Sequence, residues 1–240
     1  MLKYASRKEL RDEERGVPIK CGKDLEKAAA LLGAGKRVEL NQPDEVSTLL
    51  DKLHGMTQDA IAKGEKAPTY DLCKVSVPKT NLFCQETVGV PRINMPQMKG
   101  TPVAGSEADK LKHTKKGEVD VGQQFIDHLK AKGISTEDTS VRASHLRASQ
   151  NELDGAKVAG MVASAKAGTY DPKKGVLFVT RDNYILDGHH RWAAAVGLGL
   201  GKDKDFKLNV HKIDMDIGTA IREANDYTKQ IGIKQKAVGT

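Results

Sequence analysis

The residues best suited to chemistry stand together in the motif Asp187-Gly188-His189-His190-Arg191. A short apolar strand is predicted directly before the motif and an alanine-rich helix directly after it, so a strand ends and a helix begins at this bend. The first turn of a helix leaves backbone N–H groups unpaired and carries the positive end of the helix dipole. The motif therefore predicts a binding site for an anion.

The side chains of the motif add to this prediction. Histidine and arginine concentrate hydrogen-bond donors at the bend, and a guanidinium group is a planar fork that matches phosphate oxygens. We predict that Gly188, His190 and Arg191 bind phosphate, with His189 assisting charge stabilisation or proton transfer. Asp187 is expected to orient the histidines or a metal ion.

A second pair of polar residues lies upstream in a helix predicted over residues 152–165. Lys157 and Ser164 are seven residues apart, which is two helical turns, so both can project from one face of that helix. We predict that they join the motif in a cradle for a triphosphate.

Each of these residues also has a plainer structural interpretation. Paired histidines could cap a helix or bind a metal ion, although two adjacent histidines do not easily reach one metal without a third ligand. Arg191 could form a surface ion pair, Lys157 could be a solvated helix residue, and Trp192 is expected to pack rather than to stack on a base. The combination of residues favours phosphate, and the metal ligands stay unspecified.

The hydrophobic pattern predicts the elements that position the motif. Strands over 175–180 and 184–186 form a hairpin, and Gly188 then turns the chain into a helix over 190–196. A strand over 140–146 precedes this hairpin. A loop over 197–204, a strand over 207–213 and a helix over 217–229 complete the unit.

The sequence predicts two domains. A smaller domain covers residues 1–95, and a connecting segment joins it to the C-terminal domain, 118–240, which carries the motif. The smaller domain has helices over 24–32 and 44–62, a strand over 36–40, and a hairpin of strands over 72–77 and 81–84. The C-terminal domain opens with a helix over 119–131. The predicted fold class is therefore α+β, with two domains.

Residues 96–117 are rich in Met, Pro, Gly, Ser and Lys, and we interpret them as a linker. They contain the densest basic cluster of the chain. Its members could contact phosphates, but a solvated connector is the simpler interpretation. The cluster comprises Lys110, Lys112, His113, Lys115 and Lys116.

The composition favours a cytoplasmic protein with anionic partners. Lys and Arg number 39 against 32 for Asp and Glu, which favours nucleotides, phosphate groups or nucleic acid. Cys21, Cys73 and Cys84 are an odd number without a C-x-x-C pair, so we predict reduced thiols rather than disulfides or a zinc site. No apolar run approaches the ~18 residues that cross a bilayer, so no membrane contact is expected.

Three stretches carry a resemblance to a known family: Leu-Arg-Ala-Ser-Gln at 146–150, Ala-Lys-Val at 156–158, and the motif with the following Trp-Ala-Ala. From about residue 141 to 232 the chain resembles the ParB/sulfiredoxin superfamily, especially the ParB-like domains of phage and mobile-element proteins. The resemblance implies a ParB/sulfiredoxin-like fold for the C-terminal domain. It also implies ATP-phosphate contacts at Lys157, Ser164, Gly188, His189, His190 and Arg191.

Departures from the family pattern exclude some of its activities. His189 stands where sulfiredoxins carry their reducing cysteine, so sulfinic-acid repair lacks its nucleophile. Only one helix is predicted after residue 213, whereas ParB segregation proteins continue into a helix-turn-helix. Related free-serine kinases use a carboxylate base where this chain has Gln150, so a kinase activity requires Glu152 or Asp187 instead.

Three functions stay open. The leading hypothesis is an NTP-binding protein that uses ATP or CTP with Mg²⁺ as a phosphohydrolase or phosphotransferase, with His189, Asp187 and Glu152 as the catalytic candidates. The second is a ParB-like nuclease or non-specific DNA-binding module in which a histidine acts as base. The third is a non-catalytic protein of phage or mobile-element origin whose N-terminal domain docks onto a protein partner.

Overall fold

A computed structural model describes residues 6–234 of the 240-residue chain. Within those residues the helices are α1 (Arg7–Glu14), α2 (Leu25–Gly33), α3 (Pro43–Ala62), α4 (Gly122–Ala131), α5 (Gly155–Lys166), α6 (His189–Leu200) and α7 (Ile217–Ile231). The strands are β1 (Ile19–Lys20), β2 (Val38–Glu39), β3 (Val75–Ser76), β4 (Lys99–Gly100), β5 (Val119–Asp120), β6 (Thr136–Arg142), β7 (Arg147–Ala148), β8 (Val176–Thr180), β9 (Tyr184–Asp187) and β10 (Lys207–Ile213). The predicted α+β class is confirmed.

A mixed five-stranded sheet in the order β6-β10-β8-β9-β7 carries the motif. β8 and β9 form the predicted antiparallel hairpin, and Asn183 takes a positive φ of 64° in its turn. β7 runs parallel to β9, with Ala148 opposite Ile185. This pairing brings residues 148–150 beside the motif that follows β9.

Helices cover both faces of this sheet. Leu177 and Val179 of β8 belong to a core that includes residues of α2, α3, α5 and α6. Phe178 points the other way, into a second core with residues of α4 and α7, as the alternation of side chains along a strand requires. The first core also takes in β1, β2 and β3, which form a small parallel sheet. One continuous hydrophobic cluster thus spans residue 95, and the division into two domains stays a prediction.

Two helices near the site begin or end differently from the prediction. α5 begins at Gly155, because the Asp154 side chain accepts a hydrogen bond from the Lys157 backbone N–H and caps it. α6 runs through residues predicted as a loop, to Leu200. Gly197 and Gly199 have no side chain to collide with Leu50 of α3 or with the Lys204 carbonyl, so these glycines allow close packing rather than ending the helix.

The hairpin predicted over 72–84 is wrong in its second strand. Leu72–Lys74 is a 3₁₀ turn leading into β3, which pairs in parallel with β2. Asn81 organises the segment after it, because its side chain donates to the Cys73 carbonyl and accepts from the backbone N–H groups of Phe83 and Cys84.

The same turn corrects the prediction for the cysteines. Cys73 and Cys84 form a disulfide, with their Cα atoms 5.2 Å apart, and Cys21 is a buried free thiol. The pairing is not visible in the spacing, because the two cysteines are 11 residues apart; in the fold, Asn81 bonds to the backbone of both.

Residues 96–117 pack against the C-terminal unit. β4 pairs with β5, so the helix predicted over 119–131 starts only at Gly122, and Met98 and Ala108 are buried in the second core. Pro102 forms a bridge to Ile233. The segment is therefore packed rather than a solvated connector, and together with its flanking residues, 92–95 and 118, we call it the strap (92–118). Among the described residues, no helix has the length and apolar character needed to cross a membrane.

Candidate anion-binding cleft

Gly188 makes the bend between β9 and α6. Its φ is +101°, and a Cβ there would lie 2.9 Å from Cγ of Leu177, so both the backbone and the available space require glycine. α6 begins without a side-chain cap, whereas Asp154 and Asp216 cap α5 and α7. The first turn of α6 therefore lacks the side-chain cap that would compete with an anion at the helix N-terminus.

This bend forms part of the wall of a cleft of about 650 Å³, which is within the size range of small-molecule sites. The other walls come from α5, from Gln150 after β7, and from two segments of the strap. The lining residues are Arg92, Met95, Pro96, Gln97, Met98, Lys99, Thr114, Lys115, Lys116, Glu118, Gln150, Lys157, Met161, Leu186, Asp187, Gly188, His189, His190 and Arg191.

The charge of the cleft is strongly positive. Of the described residues that line it, six are Lys or Arg and two are carboxylates, Glu118 and Asp187. Glu118 lies 4.0 Å from the ammonium of Lys99, so part of its charge is already compensated. An excess of four cations around one concave surface attracts a multiply charged anion.

Arg191 is held in a fixed position. One terminal nitrogen donates to the Val176 carbonyl at 2.7 Å, and the guanidinium lies so close to Gly175 that any Cβ there would collide with it. The bond to Val176 uses only one of the five N–H donors of the guanidinium. A guanidinium fixed by its surroundings loses little entropy when it binds phosphate.

Asp187 is the carboxylate of the motif. Burial raises its pKa above the ordinary value for aspartate, while the charge of Arg191 and a hydrogen bond from the Gly188 backbone N–H act against that rise. A carboxylate with a raised pKa beside a cationic site is a candidate proton acceptor or metal ligand.

His189 lines the cleft but is buried and neutral. Its Nε2 accepts a hydrogen bond from the Ser149 backbone N–H at 3.2 Å. Burial, with a smaller effect from the Arg92 charge, lowers the pKa of His189 to about 3. The ring is therefore poorly suited to accept a proton at neutral pH, and its predicted catalytic role stays a prediction.

The structure brings together most of the predicted phosphate ligands, but not all of them. Lys157 lines the cleft with Gly188, His190 and Arg191. Ser164 does not line it; its carbonyl accepts from Thr169 at the far end of α5. Seven residues of helix span about 10 Å along the axis, so a shared face does not imply a shared site.

Glu152 also lies outside the cleft. It precedes α5 in the loop next to Asn151 and Asp71, and its carbonyl accepts from the Gln150 side chain. Gln150 is the residue of this loop that reaches the cleft. Its amide cannot accept a proton usefully, so Asp187 is the better placed of the two carboxylates considered as a base.

The sequence interpretation misses the cations on the strap. Arg92, Lys99, Lys115 and Lys116 line the same cleft as the α6 bend. The signal is present in the basic cluster at 110–116, but its segment has the composition of a linker and so predicts a solvated position. The cluster divides: Lys110 pairs with Glu107, whereas Lys115 and Lys116 face the cleft.

No group of three or more His, Cys, Asp or Glu side chains within residues 6–234 is arranged to hold a metal ion. Comparison of the chain with protein-family models, curated proteins and solved structures finds no match.

Proposed function

We propose that this protein binds a nucleoside triphosphate such as ATP or CTP in the cleft, with the phosphates at the α6 bend. The observation that carries the proposal is that six cationic side chains line one cleft together with the first turn of a helix that has no side-chain cap. Charge-assisted hydrogen bonds from Arg and Lys to phosphate are among the strongest that proteins form. The ParB/sulfiredoxin-like fold of the C-terminal domain is part of the same proposal, based on the sequence resemblance.

The apolar part of the cleft suits the other end of a nucleotide. Met95, Pro96, Met98, Met161 and Leu186 line it beside the cations. Methionine is flexible and polarisable, and it packs well against flat aromatic groups. A base could therefore lie on these side chains while its phosphates reach Arg191, an arrangement that places few demands on base identity.

A hydrolysis or transfer step would use Asp187. Water or an acceptor hydroxyl attacks the terminal phosphorus and the bridging P–O bond breaks, so that the nucleoside diphosphate leaves with the bond's electron pair. The attacking oxygen loses a proton to the Asp187 carboxylate. Mg²⁺ commonly binds through one or two carboxylates plus substrate phosphates, so Asp187 alone fits an ion that arrives with the nucleotide. That ion would neutralise phosphate charge.

Calorimetric titration with ATP, CTP, GTP and tripolyphosphate tests binding. We expect Lys157→Ala and Arg191→Ala each to weaken ATP binding roughly 10- to 100-fold, because a hydrogen bond to a charged group contributes about 1.5–3 kcal/mol. Ser164→Ala lies on the same helix but outside the cleft, and Lys130→Ala removes a charge from α4; both controls should bind as wild type does. Failure of all four ligands to bind, or normal binding by Arg191→Ala, would refute the proposal.

A second candidate is a nuclease or DNA-binding module, since Lys112 and Lys115 of the basic cluster are exposed and Lys115 also lines the cleft. Two other charges of that cluster are paired, Lys110 with Glu107 and His113 with Asp109, which weakens a longer polyanion track. Incubation with plasmid DNA and Mg²⁺ or Mn²⁺ separates the candidates. Cleavage or a salt-sensitive gel shift supports the DNA function, and intact, unshifted DNA supports the nucleotide function.

A third candidate, a non-catalytic protein that docks onto a partner, is separated from the first by turnover. Release of inorganic phosphate from bound ATP supports the enzyme, and tight binding without release supports the interaction protein.

A further inference from the structure

His189 is held from the interior by Ser149. The Ser149 backbone N–H donates to Nε2 of His189, and the Ser149 hydroxyl lies 3.0 Å from the same nitrogen while it donates to the Ile185 carbonyl at 2.6 Å. Both residues are buried. A backbone N–H has one fixed direction, so the nitrogen that it meets must present a lone pair. In a neutral ring, the proton is therefore on Nδ1.

The position of Nδ1 can be deduced by exclusion. Within the part of the chain that the structure describes, Nδ1 of His189 has no hydrogen-bond partner, and yet it is not sealed off from solvent. It is therefore reached by solvent. Since His189 lines the cleft, the solvent in question is that of the cleft.

The charge state of the ring follows from its surroundings. Burial and the nearby Arg92 guanidinium disfavour an imidazolium, as the lowered pKa shows, so the ring is neutral at pH 7. A neutral ring whose Nε2 accepts from Ser149 can still donate through Nδ1–H. It offers a donor without the desolvation cost of another buried charge.

We propose that His189 binds a phosphate oxygen of the nucleotide as a neutral Nδ1–H donor, in the tautomer that the Ser149 backbone imposes. This inference rests on the proposed function. Of the two roles expected of His189, charge stabilisation and proton transfer, it keeps the first and assigns it to one donor atom. Lys157 and Arg191 supply positive charge in the same cleft, and His189 supplies a hydrogen-bond donor whose orientation Ser149 fixes. Such a donor suits an oxygen that gains charge during phosphoryl transfer.

Nitrogen-15 NMR of histidine-labelled protein at pH 7 tests the tautomer and the contact together. We expect the two-bond correlations of His189 to show a proton on Nδ1, and we expect the Nδ1 and Nδ1–H signals to shift when ATP is added. A proton on Nε2, or an Nδ1 signal unchanged at saturating ATP, would overturn the inference. The second outcome leaves nucleotide binding standing, whereas absence of ATP binding removes both proposals.

Two substitutions separate the nitrogens. The His189→Gln amide can reach toward Ser149 in place of Nε2 and lacks a donor at the Nδ1 position, whereas the His189→Asn amide places a donor near Nδ1 and leaves Ser149 unpaired. We expect His189→Gln to weaken ATP binding roughly 10- to 100-fold, the value of one hydrogen bond to a charged group. His189→Asn should keep most of the affinity for ATP but should unfold at a lower urea concentration than wild type. Wild-type affinity in His189→Gln would contradict the proposal; if either variant fails to fold by circular dichroism, the NMR result on wild type decides.

Discussion

Substitution of Gly188 by alanine tests the geometry of the bend. Gly188 has a φ of +101°, and a left-handed conformation costs an L-residue about 1–2 kcal/mol. The added Cβ would also lie 2.9 Å from Cγ and 3.5 Å from Cβ of Leu177, which is fully buried and cannot swing into solvent. Overpacking of this kind costs about 1–3 kcal/mol. The sum predicts that Gly188→Ala lowers the free energy of unfolding by about 2–5 kcal/mol.

Urea denaturation followed by circular dichroism measures this loss, and two other glycines provide matched controls. Gly133 has a φ of +76°, and apart from its chain neighbours no described residue has an atom within 4 Å of the position that an added methyl group would take. Gly133→Ala should therefore lose only the conformational part, about 1–2 kcal/mol. Gly160 lies inside α5 with open space around it, so Gly160→Ala should gain up to about 1 kcal/mol.

The difference between Gly188→Ala and Gly133→Ala isolates the contact with Leu177. Equal losses in the two variants would show that Leu177 does not crowd the bend. A Gly188→Ala variant as stable as wild type would show that the turn between β9 and α6 does not have the described conformation.

Three further predictions concern the site and its support. Gly175 has a backbone conformation that alanine also adopts, but the added methyl group of Gly175→Ala would displace the guanidinium of Arg191. We therefore expect this variant to bind ATP several-fold more weakly with little change in the urea midpoint, and unchanged affinity would contradict the placement of Arg191. Burial raises the pKa of Asp187 in the folded protein, so the stability of wild type falls as the pH rises from the unfolded-state pKa to the folded-state pKa. Asp187→Asn should therefore be the more stable protein at pH 7 and should lose that advantage near pH 3. Urea denaturation at both pH values checks the sign of this stability difference. Reduction of the Cys73–Cys84 disulfide, which closes a short loop with a separation of 11 residues, should cost about 3 kcal/mol in urea unfolding, with reductant having no effect on a Cys73→Ser/Cys84→Ser variant.

The sequence predicts those elements whose local pattern and packing agree. β10 matches its predicted bounds, 207–213, because Leu208 and Val210 alternate with polar residues between two charged loops. The β8–β9 hairpin is predicted because its turn residues, with Asn183 at positive φ, suit a tight reversal. The bend at Gly188 is predicted because a strand, a glycine and an alanine-rich run leave few other geometries.

The remaining features depend on contacts between distant residues. The glycines in α6 are typical of a loop, and their place in a helix is explained by close contacts of Gly197 with Leu50 of α3 and of Gly199 with the Lys204 carbonyl. Ser164 shares a helix face with Lys157, but the cleft ends near Met161. The strap has the composition of a linker. Its burial depends on contacts that form only in the folded chain, such as those of Met98 in the second core. Contacts between distant residues leave no pattern in the local sequence, so the sequence does not predict that the strap forms about half of the cleft wall.

Hydrogen exchange of the backbone amides, with and without saturating ATP, tests most directly whether the α6 bend holds the phosphates. Gly188 gives the first turn of α6 no side-chain cap, so we expect the backbone amides of peptides covering residues 188–191 to exchange quickly in the free protein. We expect ATP to slow exchange in peptides covering residues 188–191 and the strap residues 92–99 and 114–118. Protection confined to another part of the surface, such as the groove beside Phe206, with residues 188–191 unchanged, would contradict the account.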